Sequence, residues 1–118
     1  MGLDVLYKFG YKAVKPVFFA GNTQDVLRAF PQAARHKLGA QIGRLQFGLD
    51  PDDWKPMASI GSGVREIRVR DRTGAYRAIY VANIGNRVVV LNVFLKKTQA
   101  TPLHELNLAK KRLRELER

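Results

Sequence analysis

At 118 residues, 46% of them hydrophobic, the chain has room for one domain with one core and is too apolar for a disordered protein. Its formal net charge of +11, from 21 Lys and Arg against 10 Asp and Glu, opposes compaction and favours polyanionic partners, nucleic acid above all. The lack of cysteine excludes disulfides, thiolate metal sites and thiol nucleophiles, and no segment approaches the roughly 20 apolar residues of a membrane span.

Residues 1–14 carry no clear period and are expected to form a loosely attached leader to a single domain over residues 15–118. The apolar run from Val14 to Ala20 is too short for a signal peptide and contains Pro16, so a soluble, cytoplasmic protein is expected. Val17-Phe18-Phe19-Ala20 reads as a short strand stopping at Gly21-Asn22. From Thr23 the pattern turns helical, with Val26, Leu27 and Phe30 on one face. Pro31 interrupts it and opens a longer helix that buries Ala34, Leu38, Ile42 and Leu45 and ends by Gly48. Leu49 to Ser62 holds two prolines together with Asp50, Asp52 and Asp53, and reads as a loop with Trp54 and Met57 tucked against the core.

The second half is strand-rich. Val64 to Arg70 alternates, placing Ile67 and Val69 inward and Glu66, Arg68 and Arg70 outward. Asp71-Arg72-Thr73-Gly74 signals a turn into a returning strand over Ala75 to Ala82, on which Tyr76 and Tyr80 are expected in the core. After Gly85-Asn86, the nearly continuous apolar run Val88 to Leu95 predicts a strand buried on both faces in the middle of the sheet. Thr101-Pro102 predicts a final helix with Thr101 as N-cap and Pro102 at the first helical position. Its apolar stripe is Leu103, Leu106, Ala109, Leu113 and Leu116; Lys110, Lys111, Arg112 and Arg114 cover much of the remainder. The predicted order is strand, two helices, three strands, helix: an α+β fold with a small sheet.

Residues 1–62 hold 8 basic and 5 acidic side chains, whereas residues 63–118 hold 13 and 5, so the second half carries +8 of the charge. If the hairpin closes over Asp71 to Gly74, Arg70 pairs with Ala75 and Arg68 lies directly opposite Arg77. Facing arginines repel until an anion binds between them, and each guanidinium can hold phosphate oxygens bidentately. Glu66 shares that strand face, and Lys96 and Lys97 emerge where the central strand ends. His36 is expected to be plain surface. His104, in the first turn of the last helix, could titrate near neutral pH. No Ser-His-Asp arrangement, phosphate-cradling glycine loop or metal-ligand cluster is present.

Gly63-Val64-Arg65-Glu66-Ile67-Arg68, Tyr76-Arg77-Ala78-Ile79-Tyr80, Val90-Leu91-Asn92-Val93-Phe94-Leu95-Lys96-Lys97-Thr98, Thr101-Pro102 and Ala109 together resemble the phage-derived branch of the RelE/HigB toxins. The ending F-x-K-K-T-x-x-T-P is the most specific part, and the similarity runs from about Lys15 to the C-terminus. The resemblance implies the compact RelE-like fold, a mostly antiparallel sheet with two N-terminal helices and a C-terminal helix. It also implies the toxin of a toxin–antitoxin module, an endoribonuclease that cuts messenger RNA on the ribosome with neither metal nor cofactor. Its partners would be the message, the ribosome and a cognate antitoxin, often a helix-turn-helix protein.

By the same resemblance, Arg77 matches the family's strand arginine at the scissile phosphate, Arg68 a basic position on the preceding strand, and Lys97 the basic position after the central strand. These three are the expected catalytic residues; Arg65, Arg70, Lys96, Lys110, Lys111 and Arg114 are expected to hold RNA. Glu66 stands where the best-studied members have a lysine, and the C-terminal tyrosine of some members falls near Leu103. Glu66 and His104 are therefore the candidate acid and base. The rival class is a non-catalytic basic module that grips RNA or DNA, or an antitoxin-bound co-repressor. A membrane-surface helix over residues 102–118 is disfavoured by its purely aliphatic stripe and by Glu105, Glu115 and Glu117.

Overall fold

The computed structural model describes residues 14–116, so the leader expected over residues 1–14 lies, apart from Val14, outside the described residues. The elements in chain order are β1 (Val17–Phe19), α1 (Thr23–Ala29), α2 (Gln32–Gln46), β2 (Trp54–Pro56), β3 (Val64–Asp71), β4 (Gly74–Ile84), β5 (Arg87–Lys96) and α3 (Leu103–Leu116). The strands form one sheet in the order β1-β5-β4-β3-β2, with β1 parallel to β5 and the other pairs antiparallel. This is a compact α+β fold of the RelE-like kind.

Helices cover both faces of the sheet. Leu27 of α1 and Ala34, Leu38, Ile42 and Leu45 of α2 pack on Ile67, Tyr76, Ala78, Tyr80, Val88, Val90 and Val93. On the opposite face Ala109 and Leu113 of α3 pack with Met57, Ile60, Val64, Ile79, Val81, Val89, Leu91 and Phe94. Sandwiched between them, β5 is buried continuously from Val88 to Phe94, which its unbroken apolar run required.

The β3–β4 hairpin is closed by Asp71, whose Oδ1 accepts from the Thr73 amide at 2.7 Å and the Thr73 hydroxyl at 2.5 Å. Its register pairs Arg70 with Ala75 and Arg68 with Arg77. A second feature of the sheet is a bulge. Ile79 pairs with Asn92 but Tyr80 with Val90, leaving Leu91 as the extra residue. Val88 and Val90 therefore face α1 and α2, as do Val93 and Leu95 beyond the bulge. Phe94 and Lys96, paired with Arg77 and Ala75, consequently face the α3 side.

Expectations for two segments are corrected here. The loop expected over Leu49 to Ser62 contains the edge strand β2, which pairs Trp54 with Ile67 and Lys55 with Glu66. Three residues are too few to show alternation, and Pro56 suits an edge where no amide is needed. At the start of α3 the first helical bond runs from the Leu106 amide to the Pro102 carbonyl, so Pro102 rather than Thr101 caps the helix. The Thr101 hydroxyl instead donates to Glu66 at 3.2 Å, and Leu103, expected in the apolar stripe, is 68% exposed.

Arg112 fastens α3 to the sheet. Its guanidinium donates to the Leu91 carbonyl at 2.9 Å and to Asn22 Oδ1 at 2.8 Å. Gly21, at φ 56°, lies under this guanidinium, and a Cβ there would come within 2.7 Å of Nε. Arg112→Ala should lower stability by about 1–3 kcal/mol, because the carbonyl of buried Leu91 loses its side-chain donor and α3 loses its tie to Asn22. Exposed Lys111→Ala should stay within about 0.5 kcal/mol. Urea denaturation distinguishes the two, and equal losses would refute the latch.

Candidate functional site

Because α3 covers only half of its face, the end of the sheet nearest the β3–β4 turn is left open. Three rows cross that face. Lys55, Glu66, Ile79 and Asn92 form the row at which α3 begins. Arg68, Arg77 and Phe94 form the next, and Arg70, Ala75 and Lys96 the last. The last two rows floor a cleft of about 810 Å³ lined by Arg68, Arg70, Gly74, Ala75, Arg77, Lys96, Lys97, Thr98 and Gln99. Every charged side chain lining it is cationic.

Beneath this cleft lies the least expected residue. Glu66, placed outward by strand alternation, is fully buried, with 0% exposure, because the segment leading into α3 closes over it. Its Oε1 stands 3.6 Å from Arg77 Nε, while Oε2 accepts from Thr101. Arg77 is itself only 5% exposed, and its Nη1 donates to the Tyr76 carbonyl at 3.1 Å. Glu66 Oε1 and Arg77 Nε have no hydrogen-bond partner among the described residues. Attraction to Glu66 thus holds Arg77 in a pocket that burial disfavours.

Burial pulls the Arg77 pKa below the usual arginine value; Glu66 opposes that shift, and Arg68 and Arg70 add to it. Lys96 is likewise drawn below the ordinary lysine value, first by desolvation and then by Arg77, Lys55 and Arg68, with Glu66 opposing.

The structure brings together Arg68, Arg70, Arg77, Lys96 and Lys97 of the residues expected from sequence. Glu66 joins them from beneath, through Arg77, whereas the others lie elsewhere. Arg65 projects to the α2 side, stacked 4.0 Å from the Trp54 ring centroid and bridged to Asp50 at 3.1 Å. Lys110 and Arg114 line a separate groove with Ile60 and Ser62, and Lys111 is exposed elsewhere on α3. His104, its side chain 79% exposed and 3.6 Å from Glu105, faces a groove with Val26 and Phe30 rather than the cleft.

Sequence reasoning missed Lys55, whose strand went unseen, and Thr98 and Gln99, which form the cleft wall. It also missed Thr101 as the partner of Glu66, although Thr101 belongs to the most specific stretch of the sequence. Among the described residues no three His, Asp or Glu side chains gather as metal ligands would, and no helix is long and apolar enough to cross a membrane.

Fold and cleft together define a small basic α+β protein with a cationic cleft at one end of its sheet. A family model described as "Phage derived protein Gp49-like (DUF891)" matches residues 25–114, from within α1 to near the end of α3. The chain belongs to this phage-derived family, which is RelE- and toxin-like. No curated protein matches the chain.

Glu66→Gln should destabilise the fold by about 3–5 kcal/mol, since removing one partner strands a buried charge. The double variant Glu66→Gln/Arg77→Met should recover much of that loss, because it removes the stranded charge as well. Thermal and urea unfolding of the two variants provide the check; additive losses would show that the residues are not coupled.

Proposed function

We propose that the protein is the toxin of a toxin–antitoxin module, acting in the cytoplasm as a metal-independent endoribonuclease on messenger RNA and so inhibiting translation. One observation carries the reading: Arg68 and Arg77 face each other across β3 and β4 in an open cleft flanked by Arg70, Lys96 and Lys97. Family membership supports it, as does the resemblance to the RelE/HigB branch.

Such a cleft suits in-line cleavage by a ribose 2′-hydroxyl. Attack on the adjacent phosphorus increases the negative charge on the phosphoryl oxygens. Guanidinium groups already aimed at that position stabilise the transition state more than the ground state. Arg77, fixed by Glu66 and the Tyr76 carbonyl, needs little reorganisation for this role. Arg68, opposite and more accessible, would grip the same phosphate from the other strand. The expected partners are the message, the ribosome and a cognate antitoxin of the helix-turn-helix type.

Arg68→Ala is the informative variant, because Arg77→Ala would strand buried Glu66 and confuse misfolding with inactivity. Expressed alone in bacteria, the parent should arrest protein synthesis and leave mapped 5′ ends within messages. Arg68→Ala should fold normally by circular dichroism and cleave roughly 10²–10³-fold more slowly. A well-expressed parent that neither arrests growth nor cuts RNA would leave the non-catalytic RNA- or DNA-binding module as the reading.

A further inference from the structure

We propose that Gln99 reads a nucleobase beside the cut in the RNA cleavage proposed above, favouring a base with an exocyclic amino group, adenine or cytosine. This inference rests on that reading. The side chains lining the cleft differ in what they can bond. Its arginines and lysines are donors only, Gly74 and Ala75 offer no polar side chain, and Thr98 carries a hydroxyl. Gln99 alone among the lining side chains carries a carbonyl, together with two amide hydrogens.

The wall that presents Gln99 is tied down on both sides. The Thr98 hydroxyl donates to the Ala100 carbonyl at 2.6 Å, and the Thr101 hydroxyl donates to buried Glu66 at 3.2 Å. Between these two ties Gln99 is exposed, and its side chain makes no hydrogen bond to any described residue. Its amide is thus open to a ligand, on a backbone that needs little ordering when one binds.

The chemistry of RNA picks out what this amide contributes. Phosphate oxygens only accept, so the cations hold the backbone whatever its sequence and a carbonyl adds nothing there. In single-stranded RNA the Watson–Crick edges of the bases are open to side chains. A keto oxygen of guanine or uracil finds a donor in any of the cleft's cations. An amino hydrogen on adenine N6 or cytosine N4 needs an acceptor instead. The Gln99 carbonyl supplies it, while the amide N–H donates to the adjoining ring nitrogen.

The test removes the amino group and keeps the rest of the base. Cuts made by the parent are mapped on ribosome-bound message. The favoured adenosine or cytidine beside the cut is then replaced by purine ribonucleoside or pyrimidin-2-one ribonucleoside, which lack only that group. The parent should cut these messages roughly 5–100-fold more slowly than the natural ones, the discrimination of one good bidentate contact. Gln99→Ala, altered at an exposed position, should fold like the parent by circular dichroism. It should lose a similar factor on the natural message and then cut natural and amino-deleted messages at equal rates. Its binding to RNA should keep the parent's salt dependence, because no phosphate contact is lost. A parent that cuts without preferring adenine or cytosine beside the cut removes the reader and leaves the nuclease standing. The same follows if deleting the amino group slows the parent and Gln99→Ala by the same factor. A parent that cuts no message removes both.

Discussion

The contact on which the functional end of this molecule depends is the buried pair of Glu66 and Arg77. Two arginines paired across neighbouring strands repel, and a third lies one row away at Arg70. Among the described residues, Glu66 supplies the only buried negative charge beneath them. Its second oxygen reaches Thr101, so the carboxylate also holds the segment between β5 and α3. That segment carries Lys97, Thr98 and Gln99, the wall of the cleft. A single side chain thus sets the aim of Arg77, the start of α3 and the boundary between core and cleft on one sheet face.

Burying a charged pair is an expensive way to stabilise a fold, since desolvation opposes the Coulombic gain. At 3.6 Å, with Oε1 and Nε unpartnered, this pair lacks the hydrogen bonds that would best offset the cost. An apolar pair of similar volume would suit stability at least as well. The arrangement makes physical sense if the placement of a guanidinium is what the fold requires. A local cost of this kind is tolerated because the apolar packing on both faces is extensive, from Leu38 and Tyr80 on one side to Leu91 and Leu113 on the other.

What could be read from sequence followed local rules. The Asp71–Gly74 turn fixed the register that opposes Arg68 and Arg77, and the apolar run after Gly85 marked β5 as buried on both faces, although β4 rather than β5 is the middle strand. Features that depend on tertiary context were illegible. Alternation divides β3 into two faces correctly but cannot tell that the outward face is covered at Glu66 and open at Arg68. The bulge at Leu91 has no glycine or proline to announce it, so the exchange of Lys96 for Lys97 on the cleft face could not be counted out. Thr101 satisfies the pattern of an N-cap, yet a buried carboxylate within reach outcompetes the helix amides for its hydroxyl.

The charge surplus divides into groups with different physical consequences, which the net value conceals. Arg112 and Arg65 serve the fold, the first bonded to Leu91 and Asn22, the second stacked on Trp54 and bridged to Asp50. Lys110 and Arg114 decorate the far half of α3. Within the cleft, burial grades outward from buried Arg77 through half-buried Arg68 and Lys96 to exposed Arg70 and Lys97. A polyanion arriving there would meet exposed charges first, which raise its local concentration at little structural cost. Only at the centre would it meet a guanidinium whose orientation was settled during folding. On the proposed reading, that gradient separates attraction of the chain from stabilisation of the one phosphate that reacts, because only a pre-aimed charge can favour the transition state over the bound substrate.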